Sequence, residues 1–96
     1  MLILHVATRA DWEHAEAAGS YSGNTLATGG FIHCAKPDQL MGVLTRYFPS
    51  LLDHVIVEIE SDKVRPEIRW EGAAEHFPHI YGPLNLSAVT RVKKLW

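Results

Sequence analysis

Gly30-Phe31-Ile32-His33-Cys34 is the stretch on which the reading of this chain turns. Its aromatic and β-branched residues read as a short strand, and Gly29-Gly30 lets the backbone enter that strand at a tight angle. A helix begins directly afterwards. Pro37 suits the first helical position, Asp38 suits the positive end of the helix dipole, and Leu40, Val43, Leu44, Tyr47 and Phe48 recur at helical spacing until Pro49 ends them. Upstream, residues 2–6 repeat the device of a histidine within an apolar strand. Alternation there sets Leu2, Leu4 and Val6 on one face and Ile3 with His5 on the other. A helix over about 9–18 follows, capped by Thr8 or Asp11, with Trp12 and Ala15 in its apolar stripe and Gly19 as its stop. Ser20 to Asn24 is turn chemistry.

Downstream, residues 54–60 alternate as a half-buried strand with Val55, Val57 and Ile59 inward. Asp62 to Pro66 reads as a turn. Glu67 to Glu71 reads as a strand with Ile68 and Trp70 on one face and Glu67, Arg69 and Glu71 on the other. The segment through Pro78 and Pro83 reads as loop, and residues 88–96 as a last strand. Strands interrupted by two helices predict one small α+β domain over residues 1–96, with a twisted or split, mainly antiparallel sheet.

Ninety-six residues, 47% of them hydrophobic, suffice for a single core and no second domain. A net charge of −2 and a pI near 6.3 argue against the strong positive field on which non-specific nucleic-acid binding relies. Arg91, Lys93 and Lys94 form one short basic patch, read as a solvated strand face. The single cysteine, Cys34, forms no internal disulfide and needs no oxidising compartment. The start lacks signal-peptide features, and no apolar run approaches a spanning helix, so the expectation is a cytoplasmic protein without a membrane partner.

Several residues invite a chemical reading. His33 lies near a strand end, where sites are often assembled, and with Phe31 as its alternation partner it should share a buried face. A core imidazole satisfied by a carbonyl explains an isolated strand histidine equally well, but two strands each presenting one imidazole, His5 and His33, could converge on one cleft. Trp70-Glu71 resembles a carboxylate beside an aromatic wall, which would raise its pKa by desolvation; an edge-strand glutamate next to a core tryptophan is the simpler alternative. The run His76-Phe77-Pro78-His79-Ile80-Tyr81-Gly82-Pro83 is rich in aromatics for a loop, and so is either a lid or pocket lining, or a plug at the end of the core. Metal is not expected, because Pro78 prevents His76 and His79 from sharing a helix face and no paired-cysteine or HExxH pattern is present. Cys34 points away from His33 by alternation and reads as a small core residue.

Taken together, Leu4-His5, Tyr21, Gly30 to Cys34, Gln39, Trp70-Glu71 and Phe77 to Gly82 resemble the DUF952 family of small bacterial proteins over nearly the whole chain. The order of strand histidine, helix, second strand histidine, helix and valine-rich strand is also similar, more distantly, to the ADP-ribosyltransferase-like fold, particularly its RNA 2′-phosphotransferase branch. That second resemblance implies a transferase using NAD as substrate. Its catalytic residues would be Glu71 and His33, and its ligand-binding residues His5, Tyr21, Trp70, His79 and Tyr81. A carboxylate near the ribose would stabilise the oxocarbenium-like centre formed as the nicotinamide bond breaks. The chain departs from that pattern in two places. Val6-Ala7-Thr8 stands where Gly-Thr usually follows the first histidine, and Arg9, Arg46, Arg65, Arg69 and Arg91 are not clustered as phosphate-gripping arginines would be. The partner expected is thus a small molecule or nucleotide rather than RNA. A non-catalytic module that binds such a ligand in the same cleft is the competing expectation. The geometric demand is that His33 face the same cavity as His5, with Cys34 turned away.

Overall fold

The computed structural model describes residues 1–96 as an α+β domain of three α-helices and mainly antiparallel strands. Strand β1 (Leu2–Thr8) pairs with β4 (His54–Glu60) from Leu2 opposite Glu60 to Thr8 opposite His54. The other edge of β4 carries β8 (Val89–Lys94), with a register shift between Glu58 and Ile59. A second sheet has the order β3 (Ile32–His33), β6 (Phe77–Tyr81), β5 (Glu67–Glu71). The two sheets meet at one point, where Leu4 and Ala35 exchange N–H···O bonds of 2.8 Å in each direction. The sheet is therefore split rather than continuous. A two-residue pair, β2 (Ser20–Tyr21) with β7 (Leu84–Asn85), closes the far side.

Alternation explains what each sheet buries. Ile3 and Ala7 of β1 and Val55, Val57 and Ile59 of β4 face Ile32, Ile80 and Leu84, all but Ala7 being completely enclosed. Each such aliphatic side chain larger than alanine contributes roughly 1.5–3 kcal/mol by leaving water. Helix α1 (Arg9–Ala18) covers this core with Trp12 and Ala15. Of its two candidate caps the chain uses Thr8, whose hydroxyl accepts from the Asp11 N–H at 3.1 Å. Gly19 ends the helix at φ +86, its N–H returning to the Ala15 carbonyl.

Three segments depart from the sequence reading. Helix α2 (Gly23–Gly29) occupies part of the expected turn; its single large apolar residue, Leu26, gives no periodicity to detect. Strand β6 lies where a loop was expected, because a proline in a central strand is ordinarily disfavoured. The N–H and C=O of one residue point to the same side of a strand, so Pro78 forgoes only its bond toward β3, while its carbonyl still accepts from the Cys34 N–H at 3.0 Å. Lastly, the core face at β3 is Ile32 with Cys34, not Phe31 with His33. Ile32 is enclosed opposite Ile80, whereas Phe31 is half-buried and His33 exposed.

Helix α3 (Leu40–Tyr47) follows a turn of 3-10 helix over Pro37–Gln39. It has the expected apolar stripe, yet none of its residues is buried. Its apolar side lies over a cleft rather than against a sheet.

Candidate functional site

The outward face of the second sheet follows from register alone. His33 pairs with His79, which pairs in turn with Arg69, while Glu71 stands opposite Phe77 and Glu67 opposite Tyr81. Residues at this parity all project away from Ile32, Pro78 and Ile80, so one sheet face carries two imidazoles, three aromatic rings and three charged groups. The rings are in contact. Phe31 stacks on His79 with centroids 4.2 Å apart and planes at 19°, and His33 meets Phe31 at 4.6 Å and His79 at 5.3 Å, both edge-on.

Behind these rings Glu71 acts as a buttress. One carboxylate oxygen accepts from His79 Nδ1 at 3.0 Å and from the Tyr81 hydroxyl at 2.5 Å. The Tyr81 bond first, and the His79 bond second, hold the Glu71 carboxyl below its ordinary range, and the same carboxylate pushes the Tyr81 phenol up. This corrects the expectation of a carboxyl raised by a tryptophan wall: Trp70 lies on the opposite face, paired with Pro78 and 40% exposed, and does not enclose Glu71. Arg69 lies over the Tyr81 ring, 4.3 Å from its centroid, and pairs with Glu67 at 3.1 Å. With Nδ1–H committed to Glu71, the nitrogen that His79 has free is Nε2. His33 has its pKa lowered by desolvation and then by the neighbouring His79, so its imidazole is neutral at pH 7.

A cleft of about 410 Å³ opens beside this face. Its floor is Leu4 to Val6 of β1 with Cys34 and Ala35; His33, His79 and Phe77 form one wall, and the apolar side of α3 with Phe48 forms the other. Gln39 fixes the rim. Its side-chain oxygen accepts from the Lys36 N–H at 2.9 Å and its nitrogen donates to Glu75 at 3.0 Å and to the His76 carbonyl at 2.8 Å, which ties the start of α3 to the turn between β5 and β6.

Of the residues singled out in the sequence, His33 and His79 line the cleft, and Glu71 and Tyr81 stand behind His79. His5 reaches the floor, but its ring belongs to the core. Nδ1 donates to the His33 carbonyl at 2.5 Å and Nε2 accepts from the Tyr21 hydroxyl at 2.7 Å, which fixes the neutral tautomer and leaves no ring nitrogen unpaired. Burial drives the His5 pKa down to about 4 and pushes the Tyr21 phenol up. Tyr21, also packed on Trp12, and Trp70 are not among the cleft residues. Cys34 belongs to the core face with Ile32, opposite in direction to His33 as alternation expects, and also borders the cleft floor; its thiol is pushed up by burial. Thr25, Gln39, Arg46 and Glu75 complete the cleft without having been singled out for it. The apolar stripe of α3 reads as a core face, so nothing local marks Arg46 as a cleft residue. No three of His, Cys, Asp and Glu converge as metal ligands, and no helix is long and apolar enough to cross a membrane.

Two crystal structures of protein CC0527 from Caulobacter crescentus, one of them a double mutant, match this fold with a TM-score of 0.90 each at 29% identity, over 100% of this chain and 87% of that chain. A solution NMR structure of the same protein matches with a TM-score of 0.82 at 30% identity, over 98% and 84% respectively. No functionally curated protein matches the sequence. Residues 6–92, which include His33, His79 and the Glu71 buttress and begin one residue after His5, match the family described as "Protein of unknown function (DUF952)", and the chain belongs to that family.

Proposed function

We propose that the protein is an enzyme acting on NAD or another ADP-ribosyl or nucleotide derivative held in the cleft between α3 and the split sheet. The observation that carries this reading is the pair of imidazoles on the cleft wall, one of them bonded from behind by a carboxylate. In this arrangement Glu71 orients His79, as a carboxylate does behind a general-base histidine. His79 Nε2 takes a proton from the attacking water or acceptor hydroxyl. A bond forms from that oxygen to the ribosyl carbon, and the bond from that carbon to nicotinamide breaks, its electron pair leaving with neutral nicotinamide. His33 supplies a neutral hydrogen-bonding partner for ribose hydroxyls, and the apolar wall of α3 accommodates a flat ring.

The test is Glu71→Gln. It should lower NAD turnover by about 100-fold or more while ligand affinity stays within a few fold, because a group behind the base acts mainly in the transition state. An NMR titration with NAD, ADP-ribose and nicotinamide provides the prior check. If none of them shifts the His33 or His79 ring signals at millimolar concentration, the nucleotide reading is wrong. A second reading, a non-catalytic module for the same ligands, is favoured by one observation: the Glu71 carboxylate is spent on Tyr81 and His79 and does not line the cleft. Under that reading NAD binds but is not consumed.

A further inference from the structure

The polar groups of the cleft are few and unevenly spread, which limits the ligand it can hold. Among its lining residues Arg46 is the one side chain with a permanent positive charge, and it forms no ion pair within the protein. Glu75 brings a negative charge to the same cleft, positioned by Gln39. Pyrophosphate recognition ordinarily draws on several donors at once, with bidentate arginines prominent among them. Here a first phosphate finds a guanidinium, but a second finds no other cation among the lining residues, which include the Glu75 carboxylate. Size points the same way, since about 410 Å³ lies near the lower end of small-ligand sites and suits one base with its sugar. Tyr47 and Phe48, the neighbours of Arg46 in sequence, also line the cleft, which places an aromatic surface beside the cation.

We infer that the cleft binds one nucleoside 5′-monophosphate unit, its phosphate paired with Arg46 and its sugar toward His33 and His79, so that the other half of a dinucleotide such as NAD lies outside. This rests on the nucleotide reading and narrows it. The recognised chemistry is a mononucleotide, and the second phosphate and second nucleoside contribute little to affinity. Arg46 is then a specificity residue carried by α3 rather than by the sheet that bears the imidazoles.

The experiment measures the affinities of AMP, nicotinamide mononucleotide, adenosine and NAD by calorimetry, with His33 and His79 NMR shifts as the site marker, for the unaltered protein and for Arg46→Gln. Arg46 is exposed, so its replacement leaves the fold intact. Two results are expected. The better mononucleotide should bind within about threefold of NAD, and R46Q should weaken it by about tenfold while leaving adenosine unchanged, as loss of one charge-assisted contact implies. NAD binding tenfold or more above both mononucleotides overturns the inference whatever R46Q does, and so does R46Q that leaves the mononucleotide affinity unaltered. In either case the broader nucleotide reading survives. If no probe moves the His33 or His79 signals, both fall together.

Discussion

At the scale of single residues, His5 shows how one imidazole can be spent on architecture while its neighbours remain free for chemistry. Neutral His5 satisfies the His33 carbonyl with one nitrogen and the Tyr21 hydroxyl with the other, so protonation would reverse the second bond, leave the Tyr21 O–H without its acceptor and bury a charge. Its folded-state pKa is depressed from 6.5 to about 4, so the unfolded chain takes up a proton that the folded chain refuses. Stability is complete above pH 6.5 and is lost as pH falls toward 4, by about 3 kcal/mol in all for this group. Urea unfolding across that range should show the slope, and His5→Phe, less stable above pH 6.5 by about 2 kcal/mol because two partners are left unmatched, should flatten it, so that its deficit disappears as pH falls toward 4. An unchanged slope in the variant would remove His5 as its source. Glu71 invites the opposite measurement. Tyr81→Phe deletes the stronger of its two donors, so the Glu71 carboxyl should titrate closer to the ordinary carboxylate range, as followed through its side-chain carbon by NMR. A Glu71 titration that does not move would mean that Tyr81 is not the group holding it down.

At the scale of elements, the turn from β5 to β6 and the helix α3 carry the cleft and differ sharply in how they are held. Gly72 sits at φ +152, and a Cβ there would come within 2.0 Å of the Glu75 carbonyl oxygen. Gly72→Ala should therefore cost about 2 kcal/mol or more and displace Glu71 and Phe77 on either side of the turn, visible as a lower urea midpoint together with shifted His79 signals. Helix α3, by contrast, buries none of its residues. Its amides should exchange with solvent faster than those of α1, and a bound mononucleotide should slow them. These two elements also mark where the sequence was readable. The alternation of Val55, Val57 and Ile59, the Thr8 cap and the Gly19 stop are local signals, and the structure follows them. Pro78 argued against a strand because what excuses it, the early end of β3, is non-local. The α3 stripe was legible as apolar but not as a cleft wall, since periodicity reveals which side is greasy and not what lies opposite it. The same limit applied to the histidines. Alternation separates His33 from Cys34 in direction, but the partner of His79 is fixed by a register between β3, β6 and β5 that no single segment encodes.

At the scale of the whole molecule, the single Leu4–Ala35 junction between the two sheets has a consequence for how the chain folds and opens. The β5–β6 hairpin closes a short loop, whereas β1 must find β4, and β3 must find β6, across about half of the chain, so the hairpin of the second sheet can form early at little entropic cost. Two main-chain hydrogen bonds, with the shared core beneath them, then join the halves. Native-state hydrogen exchange should resolve two cooperative blocks. The amides of β1, β4 and β8 should open together at one free energy and those of β5 and β6 at another, with the Leu4 and Ala35 amides following the weaker block. A single opening energy shared by every strand would show that the junction transmits the full cooperativity of the domain. Two distinct energies would make the junction the line along which this small protein comes apart, and the order in which its halves release would be set there.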